Sequence, residues 1–286
     1  MGASATSPLA PGSGAQSVGA MLVFTDLDGT LLDHDHYGWE PARGALERLR
    51  AGGHPVVLTS SKTLAELEVL QWELDLEGPV IAENGALLAV PQALVSGDGL
   101  ESLGPWRLYR CSPTYEVIVR TLARLRTEHG YPFVGFADLT AGEISDLTGL
   151  RLEDAEAARC REGSEPLQWQ GEPSRLVEFD KYLAQLSLRR VTGGRFHHVL
   201  GAAADKASAM SALRRILADN GRSYGASVAL GDGPNDRAML AAADYPILVA
   251  NPKAPIFDTS GISGLIRTRG QGPVGWAEAI TRLLGR

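Results

Sequence analysis

Five short apolar runs, each stopping at a polar residue, constrain this chain more than any other feature. They are Met21–Thr25 (MLVFT) before Asp26, Pro55–Thr59 (PVVLT) before Ser60, and Pro79–Ala82 (PVIA) before Glu83. Later come Val228–Leu230 (VAL), just ahead of Asp232, and Ile247–Ala250 (ILVA) before Asn251. Apolar runs of this length without polar alternation read as strands buried on both faces, the signature of a parallel sheet covered by helices. Helical patterns lie between them. Pro41 opens a helix over Ala42–Ala51, and Thr63-Leu-Ala-Glu66 has capping-box spacing for a helix running to about Asp75. Lys206–Asn220, Asn235–Ala243 and Trp276–Leu284 continue the alternation. The fold class is therefore α/β, with a Rossmann-like parallel-sheet core. Ligands bind at the carboxyl ends of such strands, so Asp26, Ser60, Glu83, Asp232 and Asn251 collect where a site belongs.

The middle of the chain has a different texture. A helix over Pro113–Glu128 precedes a strand at Tyr131–Ala137 and helices near Glu143–Leu147 and Glu153–Arg161. Strand Leu167–Gln170, helix Arg175–Leu186 and strand Leu188–Val191 follow. We read this as an α/β cap domain inserted into the core. The expected division is a disordered extension over 1–20, core over 21–107, cap over 108–194 and core again over 195–286. Residues 1–20 carry Gly, Ala, Ser and Pro but no charge, and lack the basic start and continuous apolar stretch of a signal peptide.

Composition narrows the partners. The 286 residues are 44% hydrophobic, enough for two domains. A formal net charge of -7 offers no global positive field for nucleic acid or anionic membrane. No apolar run reaches the length of a membrane span. Cys111 and Cys160 form no CxxC pair, which fits reduced thiols and a cytoplasmic protein.

The chemistry starts at FTDLDGTLLD, residues 24–33. Asp26 and Asp28 are two positions apart and face the same way on an extended chain, although adjacent carboxylates resist joint ionisation. A cation between them removes the conflict, and oxygen donors suit Mg²⁺. A calcium-loop reading fails, because Leu31 stands where that loop needs glycine. A second acidic loop, Gly231-Asp232-Gly-Pro-Asn235-Asp236, also follows a strand. Magnesium shares its shell with phosphate and water, and Thr59-Ser60-Ser61-Lys62 offers hydroxyls and N–H groups near a helix start, a natural anion seat. Lys206 can meet a phosphate as a point charge.

These motifs, in this order, resemble the haloacid dehalogenase-like phosphohydrolase superfamily over residues 21–286. The resemblance implies that Asp26 is the nucleophile forming an aspartyl-phosphate and Asp28 the general acid and base. It further implies that the Asp26 and Asp232 carboxylates and the Asp28 carbonyl hold Mg²⁺. Ser60, Lys206 and Asn235 would bind phosphoryl oxygens, and Asp236 would orient its neighbours. Ser60-Ser61-Lys62-Thr63, Ala82-Glu83-Asn84-Gly85-Ala86, Gly194-Arg195-Phe196-His197-His198 and Gly272-Pro273-Val274-Gly275-Trp276 are similar to the mannosyl-3-phosphoglycerate phosphatases, whose usual late motif has an acid where Val274 stands. Asp138-Leu139-Thr140 and Leu147-Thr148-Gly149-Leu150 also fit. That likeness implies a phosphorylated sugar substrate, mannosyl-3-phosphoglycerate, converted to mannosylglycerate.

Other readings stay open at this point. Ser61 and Lys62 can bind substrate, and Lys62 can equally sit on a surface turn. Arg195 suits a bidentate clamp on a carboxylate; His197 and His198 read as structural. Glu83 and Asn84 can simply satisfy backbone, and Trp72 and Trp169 read as core or cap packing. The alternatives for the whole chain are a glucosyl-3-phosphoglycerate or general sugar-phosphate phosphatase, a hexose phosphomutase, or a non-catalytic sugar-phosphate-binding regulator.

Overall fold

A computed structural model describes residues 19–96, 99–193 and 196–285. Most of the expected extension over 1–20, and Arg195, lie outside the described residues. The first half of the core alternates as the apolar runs require: β1 (Met21–Thr25), α1 (Arg43–Ala51), β2 (Val56–Thr59), α2 (Leu64–Glu73) and β3 (Val80–Ala82). Three strands then follow without long helices, β4 (Leu87–Pro91), β5 (Glu101–Leu103) and β6 (Trp106–Arg110).

The inserted stretch contributes α3 (Tyr115–His129), β7 (Phe133–Gly135), α4 (Ala141–Thr148), α5 (Leu152–Arg159), β8 (Ser164–Trp169), α6 (Ser174–Gln185), β9 (Leu188–Gly193) and β10 (Phe196–Gly201). The core resumes with α7 (Lys206–Asp219), β11 (Ala226–Gly231), α8 (Arg237–Ala242), β12 (Tyr245–Ala250), β13 (Ile266–Gln271) and α9 (Gly272–Leu284).

Two sheets result. The larger runs β13-β12-β11-β1-β2-β3-β4-β6-β5. It is parallel from β13 through β3 and antiparallel beyond. Side chains alternate across β1. Met21 and Val23 pack with Leu46, Leu67 and Ile280 on one face, whereas Leu22 and Phe24 pack with Leu213, Leu217 and Met239 on the other. Covering both faces removes the apolar strands from water, at roughly 1.5–3 kcal/mol for each large side chain buried.

The smaller sheet runs β7-β8-β10-β9 and is antiparallel. Helices α3 and α6 cover one side through Ile118, Leu122, Phe179 and Leu183. The α4–α5 pair brings Ile144, Ala155 and Ala158 together with Phe136. We place the passages between the two units at 111–114 and 202–205, so that β6 stays in the large sheet and β10 in the small one.

Several local expectations shift. The strand expected over Tyr131–Ala137 shortens to β7, because the chain tightens into a 3₁₀ turn at Phe136–Asp138. Trp72 is not core packing but 83% exposed. Leu64 and Leu67 bury one face of α2, and Trp72, five residues past Leu67, turns about 140° away from it. Trp169 does pack in the small unit, against Tyr131 and Phe179.

Candidate active site

Parallel register places the polar residues on one edge. Thr25 of β1 aligns with Leu58 of β2 and Leu230 of β11, and Gly231 aligns with Leu248 of β12. The residues just beyond, Asp26, Ser60, Asp232 and Asn251, therefore emerge together. The strands are parallel, but the order in which the chain adds them runs one way from β1 and the other way from β11, and open α/β sheets bind ligands at such a switch point. Asp26 N–H donates to Leu230 O at 2.9 Å across that switch point.

Lys206, the first residue of α7, is 1% exposed and reaches back into the site. Its Nζ donates to Asp26 Oδ1 and Asp236 Oδ1, each at 2.6 Å. Burial works against the ammonium, but Asp236 and Asp26 outweigh it and raise its pKa. Asp236 is fully buried, and its second oxygen accepts the N–H groups of Asp232 and Gly233, both at 3.0 Å. Both Asp236 oxygens are thus occupied, which fixes the acidic loop and the lysine together. Gly231 is required here, since a Cβ would run into Asp236.

Asp232 is held by Thr30 Oγ1 at 2.9 Å and by Asn251 Nδ2 at 2.7 Å. Thr30 lies in the first acidic motif, and Asn251 ends the fifth apolar run; sequence spacing gave neither a role. Behind Asp26, Trp276 Nε1 donates to Thr25 Oγ1 at 2.9 Å, and Thr25 Oγ1 donates to Asp26 O at 2.7 Å. That chain of bonds explains why the late Gly-Pro-Val-Gly-Trp segment belongs to the site. It acts from behind, through the backbone of Asp26.

Asp28 sits nearer the surface, with Lys62 Nζ 3.4 Å from its Oδ2. Burial opposes the Lys62 charge, yet Asp28 and Glu66 raise its pKa overall. Lys62 also lies 5.3 Å from the centre of the Tyr37 ring. It therefore faces Asp28 rather than lying on a free surface turn. Asp28 Oδ1 is buried and has no hydrogen-bond partner. Ser60 is buried, with its N–H on Ile81 O at 2.9 Å, and its Oγ accepts from Lys62 N–H at 3.3 Å. Asn235 Nδ2 donates to Asn84 Oδ1 at 3.3 Å, leaving Asn84 Nδ2 buried without a partner. His198 is buried in the small unit, and burial lowers its pKa to about 3, so its ring is neutral. His197 Nδ1 meets Arg190 Nη1 and Thr192 Oγ1, each at 3.1 Å, within the small sheet.

Carboxylate oxygens of Asp26, Asp232 and Asp236 all lie within 4.8 Å of one another. Burial, then Asp236, raises the pKa of both Asp26 and Asp232. Negative charge is thus in excess of what Lys206 balances. An all-oxygen donor set and surplus negative charge fit a hard divalent cation. Asp236 is committed to Lys206 and two backbone N–H groups. Asp26 keeps one oxygen without a hydrogen bond and each Asp232 oxygen accepts a single neutral donor, so Asp26 and Asp232 are the better placed to take one.

Comparison with known proteins agrees with this geometry. Residues 23–100 match the family model described as haloacid dehalogenase-like hydrolase. The chain is 34% identical over 267 residues to the glucosyl-3-phosphoglycerate/mannosyl-3-phosphoglycerate phosphatase of Methanococcoides burtonii, covering 93% of this chain and 97% of that one. In fold it is similar to a haloacid dehalogenase-like hydrolase from Bacteroides thetaiotaomicron (TM-score 0.64, 18% identity, 92% and 99% covered). The subclass IIB sugar phosphatase BT4131 superposes with a TM-score of 0.62 at 17% identity, over 92% of this chain and 99% of that one. Family match, full-length relative and acidic site converge: this chain belongs to the haloacid dehalogenase-like hydrolases and is a phosphoric monoester hydrolase.

Proposed function

We propose that the enzyme hydrolyses mannosyl-3-phosphoglycerate to mannosylglycerate and phosphate, with Mg²⁺, through an aspartyl-phosphate. The observation that carries the chemistry is the buried Asp26 carboxylate, fixed by Lys206 and lying beside Asp232. Lys206 occupies Asp26 Oδ1, which directs the other oxygen at phosphorus. As the Asp26 O–P bond forms, the P–O bond to the substrate breaks. Asp28 serves as general acid, giving a proton to the departing alkoxide. The resulting Asp28 carboxylate takes a proton from water, whose oxygen attacks phosphorus and returns Asp26 as a free carboxylate. Ser60, Lys206 and Asn235 bind the transferring oxygens, Asp236 holds Lys206 in place, and Lys62 keeps Asp28 aimed. Magnesium, held by the Asp26 and Asp232 carboxylates and the Asp28 carbonyl, would neutralise charge so that one anion can approach another.

Substrate assignment rests on the full-length likeness to an enzyme named for both sugars, so glucosyl-3-phosphoglycerate is the second reading. Ser61 and Lys62 line the same edge, and Arg195 is assigned to the glycerate carboxylate. No helix among the described residues is long and apolar enough to cross a membrane. The free thiols Cys111 and Cys160 suit a reducing compartment such as the cytoplasm. A panel assay tests the proposal: phosphate release with Mg²⁺ from the two glycosyl-3-phosphoglycerates, 3-phosphoglycerate and hexose phosphates. Selective turnover of the mannosyl ester supports it. Equal turnover of simple hexose phosphates overturns the substrate, and a rearranged ester in place of free phosphate overturns hydrolysis.

A further inference from the structure

The loop after β2 carries three consecutive carbonyls, each held by a donor from elsewhere in the fold. Ser60 O accepts from Asn84 N–H at 2.8 Å, and Lys62 O accepts from Glu83 N–H at 2.9 Å. Both donors belong to the turn after β3. The middle carbonyl, Ser61 O, is held instead by a side chain, Arg161 Nη2, at 2.9 Å. Arg161 lies between α5 and β8, so it rides on the inserted unit.

This grip has a directional consequence. In a trans peptide the N–H points opposite to the C=O. Fixing the Ser61 carbonyl toward Arg161 aims the Lys62 N–H the other way, and that N–H indeed meets Ser60 Oγ. Lys62 N–H thereby positions the Ser60 hydroxyl, whose hydrogen is left for an anion together with the Ser61 N–H, since Ser60 N–H is taken by Ile81 O.

The guanidinium is itself tightly constrained. Its Nε donates to Ser164 O at 3.0 Å, and Nη2 also donates to Ser164 Oγ at 2.9 Å. Nε lies 3.4 Å from the Glu83 carboxylate, which is 0% exposed. Glu83 further accepts Glu162 N–H at 2.7 Å, Gly163 N–H at 3.1 Å and Ser164 Oγ at 2.7 Å. Glu83 and Asn84 both take positive φ, 52° and 56°, a left-handed conformation that side chains avoid unless their surroundings impose it. Gly85 follows at φ 92°, where a Cβ would run into the Asp205 carbonyl just before Lys206. One turn thus touches the anion loop, the start of α7, Asn235 and the inserted unit.

We infer that Arg161 is a positioning residue: by holding the Ser61 carbonyl it orients the anion seat, which is complete only while the inserted unit is docked. This rests on the reading that Ser60–Lys62 receives the transferring phosphoryl group. The seat's geometry is then a property of two units, and turnover is tied to their contact.

Arg161→Lys tests it, because lysine keeps a positive charge beside Glu83 but cannot span Ser61 and Ser164 together. Misorienting the seat should lower kcat of the folded enzyme by about 10–100-fold, with KM changed by less than about threefold, alongside a lower melting temperature from the lost guanidinium bonds. Arg161→Gly, assayed with and without millimolar methylguanidine, supplies a second readout: added methylguanidine should restore activity at least about tenfold. A folded Arg161→Lys enzyme with wild-type kcat overturns the inference. So does an Arg161→Gly loss that tracks unfolding and shows no recovery with methylguanidine. The wild type in the same assay separates the two levels of the argument. Turnover indifferent to Arg161 overturns this inference alone, whereas a folded wild type inert toward every ester overturns the function beneath it as well.

Discussion

Lys206 and Arg161 are both buried cations paired with acids, yet they occupy opposite kinds of surroundings. Around Arg161 the polar groups are matched: Glu83 receives two N–H groups and a hydroxyl, and the guanidinium reaches three carbonyls. Around Lys206 the matching is incomplete. Asp26 and Asp232 are pushed toward protonation by burial and by Asp236, and Asp28 keeps an orphaned oxygen. Burial of charge is common to structural and chemical centres. What separates them is whether bonding capacity is left over. A saturated centre contributes rigidity, whereas an unsaturated one waits for a ligand and stores the cost of waiting.

The largest expected effect follows from emptying the unsaturated centre. Asp26→Asn should abolish phosphate release, a loss of at least about 10⁴-fold in kcat. Because burial disfavours the Asp26 anion, the neutral amide should not lower the melting temperature, and a small rise is expected. Activity is read by phosphate release and stability by thermal melting. Near-wild-type turnover in this variant would remove Asp26 as nucleophile. A strongly lowered melting temperature would break the contrast, by showing that the Lys206 centre also serves stability.

The opposite signature belongs to Glu83. Glu83→Gln leaves the Arg161 guanidinium buried beside a neutral amide and weakens its bonds to Glu162, Gly163 and Ser164. Removing one partner of a buried pair costs about 3–5 kcal/mol, so the urea midpoint should fall sharply. An unchanged midpoint would mean that this centre is not the saturated one described. Asp26 and Glu83 both follow parallel strands and both are buried acids; the two substitutions should nevertheless separate activity from stability.

How much of this could be read from the sequence depends on the range of the signal. The parallel strands announced themselves as apolar runs because both faces are covered, and the acids after them followed from strand polarity. The capping box at Thr63 and Glu66 forms as its spacing requires, with bonds of 2.8 and 3.2 Å. Strands β5 and β13 gave no such signal: β5 is exposed throughout, and β13 alternates half-buried and exposed residues among charges. Edge strands are held by backbone pairing, which leaves little trace in side-chain pattern. Glu83 was legible only as an acid after the third strand that can satisfy backbone, and its partner Arg161 was illegible for another reason. The carboxylate binds mostly backbone N–H groups about eighty residues away, and backbone donors have no residue identity to recognise. Thr30 and Asn251 were visible as polar residues at loop positions, but only the register of β1, β11 and β12 shows that both grip Asp232.

The smallest effect expected tests whether the inserted unit holds an unsaturated acid of its own. Glu165 on β8 is 2% exposed and accepts from Ala137 N–H and Tyr115 Oη, each at 2.8 Å. Burial pushes its pKa up to about 7 from the ordinary 4.5, against the lowering effect of those two bonds and of Arg161. Between those values the folded protein keeps a proton that the unfolded chain has released. Stability from this group is therefore fully present below about pH 4.5 and is lost as pH rises through about 7, by at most about 3 kcal/mol. Glu165→Gln cannot lose a proton, so the difference in urea midpoint between variant and wild type should grow in the variant's favour from pH 5 to pH 8. Subtracting the two profiles cancels Asp26, Asp232 and the histidines, which titrate in both proteins. A difference that stays flat would place Glu165 with Glu83 among the saturated acids, and the contrast between the two kinds of centre would then run along the boundary between the units.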